Sequence, residues 1–153
     1  MVEVKPLVAA QLFSGLVGRN VGFTQVTVAP ASKAKQIYGE YILKPTGMTS
    51  VVQLDLLLLG SLGAAMLGLP AGSVAERLNP PFDESLRDAM HEILNVTSTI
   101  VSLDSRAVFQ KMNTDKTFLS QGALDTVSSP LGRSYFMVNV DGYDGGAFTI
   151  LTP

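Results

Sequence analysis

Residues 56–67 read LLLLGSLGAAML, and Ser61 is the one polar side chain among them. A helix that is apolar nearly all round has to be covered nearly all round. A bilayer is not where this one is covered. Even extended to Leu69, the run falls short of the ~20 apolar residues a spanning helix needs. Asp55 precedes it and Pro70 ends it. The run is therefore expected to be a buried helix, with Asp55 as its N-cap where the alternating stretch MTSVVQLDL turns from strand to helix. Its two glycines, Gly60 and Gly63, work against helix propensity.

The remaining totals fit a chain that folds around such a segment. With 153 residues, 46% hydrophobic and 16% charged, one folded domain over residues 1–153 is expected rather than a disordered chain. A formal net charge of -2 leaves no large basic surface, so nucleic acid is not an expected partner. There are no cysteines, which removes disulfides and thiolate chemistry. His91 is the one histidine, and alone it builds no His-rich metal site. The N-terminal stretch lacks the basic start and sustained apolar core of a secretory signal. A cytoplasmic protein with no membrane insertion is expected.

Apolar residues at 7, 8, 12, 13, 16 and 17 mark a helix over Val4 to Val17, with Pro6 in its first turn and Gly18 as its stop. VGFTQVTV and QIYGEYIL are rich in β-branched and aromatic residues and read as antiparallel strands. A short helix is expected from Ser73, ended by Pro80 and Pro81. SYFMVNV and AFTILT read as a hairpin joined by the glycine-rich DGYDGG; this segment lacks the acidic spacing of a calcium loop. Residues 113–133 read as a polar connection. Met48, Met66, Met90 and Met137 lie in apolar runs and are expected in the core. Helix, strands, helix, long helix, strands predicts an α+β fold in which long helices pack on a mainly antiparallel sheet.

The long helix is DESLRDAMHEILNVTSTIVS, Asp83 to Ser102, with Asp83 as N-cap and Glu84 in the first turn. Leu86, Met90, Ile93, Leu94, Thr97, Ile100 and Val101 fall on one side. Asp88, Glu92, Asn95 and Thr99 fall on the other, at spacings of four, three and four, so their side chains are neighbours on the helix surface. One reading is an ordinary solvated face. The other is chemical. Asn competes with the backbone and is a poor interior helix residue. Its amide holds both donors and an acceptor, so it can aim a water without taking its proton. Two carboxylates beside it can receive a lysine or arginine. His91 lies next to this row, either lining it or as a half-exposed surface residue. A second Glu-x-x-Asn, Glu76 to Asn79, runs into two prolines and reads as a helix end.

The segment DAMHEILN has the form Asp/Ser-x-x-x-Glu-x-x-Asn, and it resembles the signature of the CheC/CheX/FliY family of chemotaxis phosphatases. SVVQLDLLLLGSLGAAMLG ahead of it, the acidic start FDESLRDA and the opening VKPLVAAQLF are similar to that family as well. With one signature helix, the chain resembles the single-site, CheX-like members. The resemblance implies a CheC-like two-layer fold and hydrolysis of the phosphoaspartate of a CheY-type response regulator in two-component signalling. Asn95 would orient the attacking water, Glu92 would contact a lysine of the regulator, and Asp88, with His91 and Thr99 alongside, would support the contact. The chain would carry no cofactor of its own, Mg²⁺ being bound in the partner, and it would form a homodimer. A second implication is open: flagellar rotor switch proteins resemble this family and use the fold to assemble, which would make this a non-catalytic binding or scaffold module. A third is a small-molecule site formed by the apolar segment Leu56 to Leu69.

Overall fold

Among the described residues, six strands form one antiparallel sheet in the order β1-β5-β6-β3-β2-β4. They are β1 (Val21–Val26), β2 (Gln36–Lys44), β3 (Thr49–Asp55), β4 (Arg106–Asn113), β5 (Gly132–Val140) and β6 (Tyr143–Thr152). The helices are α1 (Pro6–Val17), α2 (Leu56–Leu67), α3 (Val74–Arg77), α4 (Glu84–Val101) and α5 (Gln121–Ser128). The computed structural model describes residues 4–103 and 105–153. The class is α+β.

Strand alternation divides the sheet into two faces. Ile37, Tyr41, Val52, Leu54, Phe136, Val138, Phe148 and Ile150 face α1, α2 and α4 and form the main core with them. The rings of Phe13, Phe23, Phe136 and Phe148 pack at centroid distances from 5.3 to 6.4 Å where α1 meets β1, β5 and β6. Fully burying each such side chain contributes ~1.5–3 kcal/mol. α1 begins at Pro6 and stops at Gly18, whose φ of 72° is a left-handed cap that glycine adopts without strain.

α2 is buried on nearly every side. Its two glycines are where neighbouring elements close in. A Cβ at Gly60 would come within 2.6 Å of Leu78 Cδ1, and one at Gly63 within 3.2 Å of Leu86 Cδ1 on α4. Packing outweighs glycine's low helix propensity here.

Asp55 holds the N-cap position of α2 but makes no cap hydrogen bond, contrary to expectation. Its carboxylate instead accepts from the buried Ala147 N–H at 3.0 Å, from Ser32 Oγ at 3.0 Å and from Gln36 Nε2. The adjacent Gly146 leaves it room: a Cβ there would come 2.7 Å from Asp55 Oδ2.

The polar connection also differs from expectation. It holds a 3-10 turn at Lys116–Phe118 and the helix α5, which Ser120 caps by accepting from Ala123 N–H. α5 lies on the opposite face of the sheet, where Leu119 and Ala123 pack on Tyr38, Val51 and Leu151. The buried Glu40 carboxylate ties it down, accepting from Ser120 Oγ at 2.6 Å and from Asn113 Nδ2 at 2.9 Å.

The hairpin turn is tighter than DGYDGG. Val140 pairs directly with Tyr143, leaving Asp141 and Gly142 as the turn, with Gly142 at φ 79°. Met90 is buried and Met66 half-buried, but Met48 and Met137 are exposed. Met48 precedes β3 in the β2–β3 connection, and Met137 alternates with Phe136 and Val138, so it faces away from α1, α2 and α4. Among the described residues no helix is long and apolar enough to cross a membrane.

Candidate functional site

α4 starts where sequence chemistry places it. The Asp83 carboxylate accepts from Leu86 N–H at 3.0 Å and from Arg77 Nη1 at 2.8 Å. The Leu86 bond is the main reason its pKa lies below the ordinary carboxylate value, and the Arg77 charge adds to it. The expected inward face is buried in full: Leu86, Met90, Ile93, Leu94, Thr97, Ile100 and Val101. That burial holds the helix to the sheet and to α2.

Asp88, Glu92, Asn95 and Thr99 are all exposed, on the side of α4 that points away from the core. Neighbours at these spacings lie ~5–6 Å apart between Cβ atoms. The ion pairs among the described residues are Arg77–Asp83 and Lys111–Glu40, so neither carboxylate of the row is taken up inside the fold. The row therefore presents two carboxylates and an amide on rigid backbone to whatever approaches. The carboxylates can accept from a cationic side chain, and the amide oxygen can accept from a water hydrogen.

The other two expected site residues sit at its margins. His91 is exposed and flanks the row; its ring stands edge-on to Phe109 of β4, 6.1 Å between centroids. Thr99 ends the row and borders an apolar groove of about 270 Å³ shared with Val8 and Leu12 of α1 and Ile100. Asn79 of the second Glu-x-x-Asn follows α3, and its N–H bonds to the Glu76 carbonyl, as a helix end does. Among the described residues no cluster of three or more His, Asp or Glu is placed to hold a metal ion.

Beneath the row lies a contact that sequence spacing did not reveal. Tyr41 of β2 is fully buried, and its hydroxyl donates to the Leu94 carbonyl at 2.6 Å. Thr97 donates to the Ile93 carbonyl at 2.7 Å in the same buried layer. Burial raises the Tyr41 pKa well above a tyrosine's usual value, against a smaller opposing effect of Thr97, so the phenol stays a donor at any ordinary pH. Alternation places Tyr41 on an inward face, but no local pattern pairs it with a carbonyl 53 residues away.

No family model matches the chain, and no curated protein sequence is significantly similar to it. Solved structures are. The FliM middle domain from H. pylori superposes with a TM-score of 0.63 at 10% identity, over 97% of this chain and 84% of that one. A chain of the FliG–FliM complex from H. pylori gives 0.65 at 11% identity, over 99% and 87%. FliY from Thermotoga maritima gives 0.56 at 20% identity, over 94% and 81%. The chain has the CheC/CheX/FliY-type fold. At these identities the likeness establishes the CheC-type architecture. The chemistry has to be read from α4.

Proposed function

We propose that this CheC-type domain is a CheX-like aspartyl-phosphate phosphatase that acts on a phosphorylated CheY-type response regulator in the cytoplasm. The observation that carries the reading is the exposed, internally unpaired row Asp88, Glu92, Asn95 on one face of α4. An acyl phosphate is already activated, so a hydrolase needs little beyond a placed water. In this mechanism Glu92 accepts from a lysine of the regulator and sets the depth of the helix in its site. Asn95 Oδ1 accepts from one hydrogen of the water and turns a lone pair toward phosphorus. The new bond is water oxygen to phosphorus; the bond that breaks joins phosphorus to the aspartate oxygen. The products are the free carboxylate and inorganic phosphate. Asp88 extends the acidic surface one turn toward the N-terminus. Mg²⁺ is the partner's, held with the phosphoryl group. The pairing of two copies belongs to the same proposal, through the outer strands β1 or β4 at the ends of the sheet.

The FliG–FliM likeness supports a second reading, a non-catalytic module that binds a protein partner through the same fold. One experiment separates the two. A panel of CheY-type regulators is phosphorylated with acetyl phosphate, and decay is followed with wild type, Asn95→Ala and Glu92→Ala. The phosphatase reading expects wild type to accelerate decay of at least one regulator, and both variants to lose most of that acceleration. Binding by the folded wild type without acceleration of any regulator refutes it in favour of the binding module.

A further inference from the structure

Leu94 and Asn95 share one peptide group, so a contact to the Leu94 carbonyl acts on the unit from which the Asn95 side chain hangs. Two residues of β2 converge on that carbonyl. Tyr41 projects from the inward face of β2 toward α4. Gly39, two residues earlier on the same face of β2, has no Cβ; one placed there would come 3.3 Å from Tyr41 Cε1, Tyr41 Oη and Leu94 Cδ2 alike. The phenol uses that space to reach the carbonyl at 2.6 Å. Apolar packing alone does not fix how α4 is rotated, because Leu, Ile and Met side chains re-pack with modest loss. A buried hydrogen bond has one geometry and penalises any other.

We propose that Tyr41 is a positioning residue for Asn95: its hydroxyl locks the Leu94–Asn95 peptide group and so fixes where the amide points. The kinetic consequence rests on the phosphatase reading; the positioning itself does not. Phe at position 41 keeps the ring and removes the hydroxyl. Gly39→Ala keeps the hydroxyl and displaces it by a few tenths of an ångström. Glu92 lies on the preceding turn, away from the locked peptide group, so docking of the regulator should persist in both variants.

The test pairs two measurements on the full chain. Amide hydrogen exchange of Tyr41→Phe is expected to rise about tenfold at residues 95–98 relative to residues 86–90. Under saturating phosphorylated regulator, kcat is expected to fall about tenfold with KM within about twofold, and Gly39→Ala to fall between wild type and Tyr41→Phe. Unchanged exchange, or a uniform rise along α4, overturns the positioning role, as does unchanged kcat in an active enzyme. If wild type itself does not accelerate decay, the phosphatase reading fails, and the local exchange result alone decides on Tyr41.

Discussion

Replacing Asp55 by alanine removes one carboxylate and opens three contacts. The consequences are unequal. Ser32 Oγ and Gln36 Nε2 sit in partly buried surroundings, where water can replace the lost acceptor. The Ala147 N–H is buried; without Asp55 it has no such replacement, and a buried donor left unpaired costs ~1–3 kcal/mol. Adding a smaller share for the two side-chain donors gives ~2–4 kcal/mol for Asp55→Ala. For a chain of this size that is ~5–15 °C in Tm. Asp55→Asn keeps one acceptor oxygen, which can serve Ala147, so ~1–2 kcal/mol is expected. Urea unfolding with an unchanged m-value is the assay. If the carboxylate were an ordinary helix cap, Ala would cost ~1 kcal/mol and Asn almost nothing, because Asn caps as well as Asp. That pair of values would refute the tie to β6.

Glu40→Ala should cost ~2–4 kcal/mol, since it unties Ser120 and Asn113 from a buried position; limited proteolysis should then cut first within residues 113–131. Asp83 has its carboxyl pKa depressed in the fold, so its contribution is complete above the unfolded value near 4 and is lost as pH falls through the lowered one. Thermal scans from pH 2 to 7 should show the Tm gap between wild type and Asp83→Ala closing at the acid end. Asn95→Ala should raise stability by ~0.5 kcal/mol, seen as a Tm higher by ~1–2 °C, because Ala is the better helix residue at an exposed site.

What was legible in the sequence was what repeats locally. α4 shows a 3.6-residue period over 18 residues, α2 is apolar nearly throughout, and Asp83, Pro6 and Gly18 act within their own helices. The main strands show alternation or β-branched content. What was hidden depends on partners distant in sequence. The Asp55 carboxylate chooses between a helix N–H next door and Ala147, 92 residues on, and only the packed position of β6 decides. α5 has eight residues, too few for a period to stand out from a polar loop. The strand order puts β4 beside β2 rather than beside β5, a choice that no residue within β4 announces. For the site, the spacing of Asp88, Glu92 and Asn95 was readable, whereas Tyr41, which braces it from below, was not.

The composition of the row is itself informative when weighed against stability. Asn is among the weaker helix formers, and Asp88 and Glu92, four apart, place like charges on adjoining turns. The ion pairs among the described residues offset neither acid. A face under selection for folding alone would carry Ala, Lys or a Glu–Lys pair at these positions. α4 instead draws its stability from the buried side, from the Asp83 cap and from the Tyr41 hydrogen bond. The helix is thus over-determined on one face and mildly destabilised on the other. That asymmetry is what a rigid element carrying an exposed chemical group requires, and local rules broken without repair inside the fold point to use outside it.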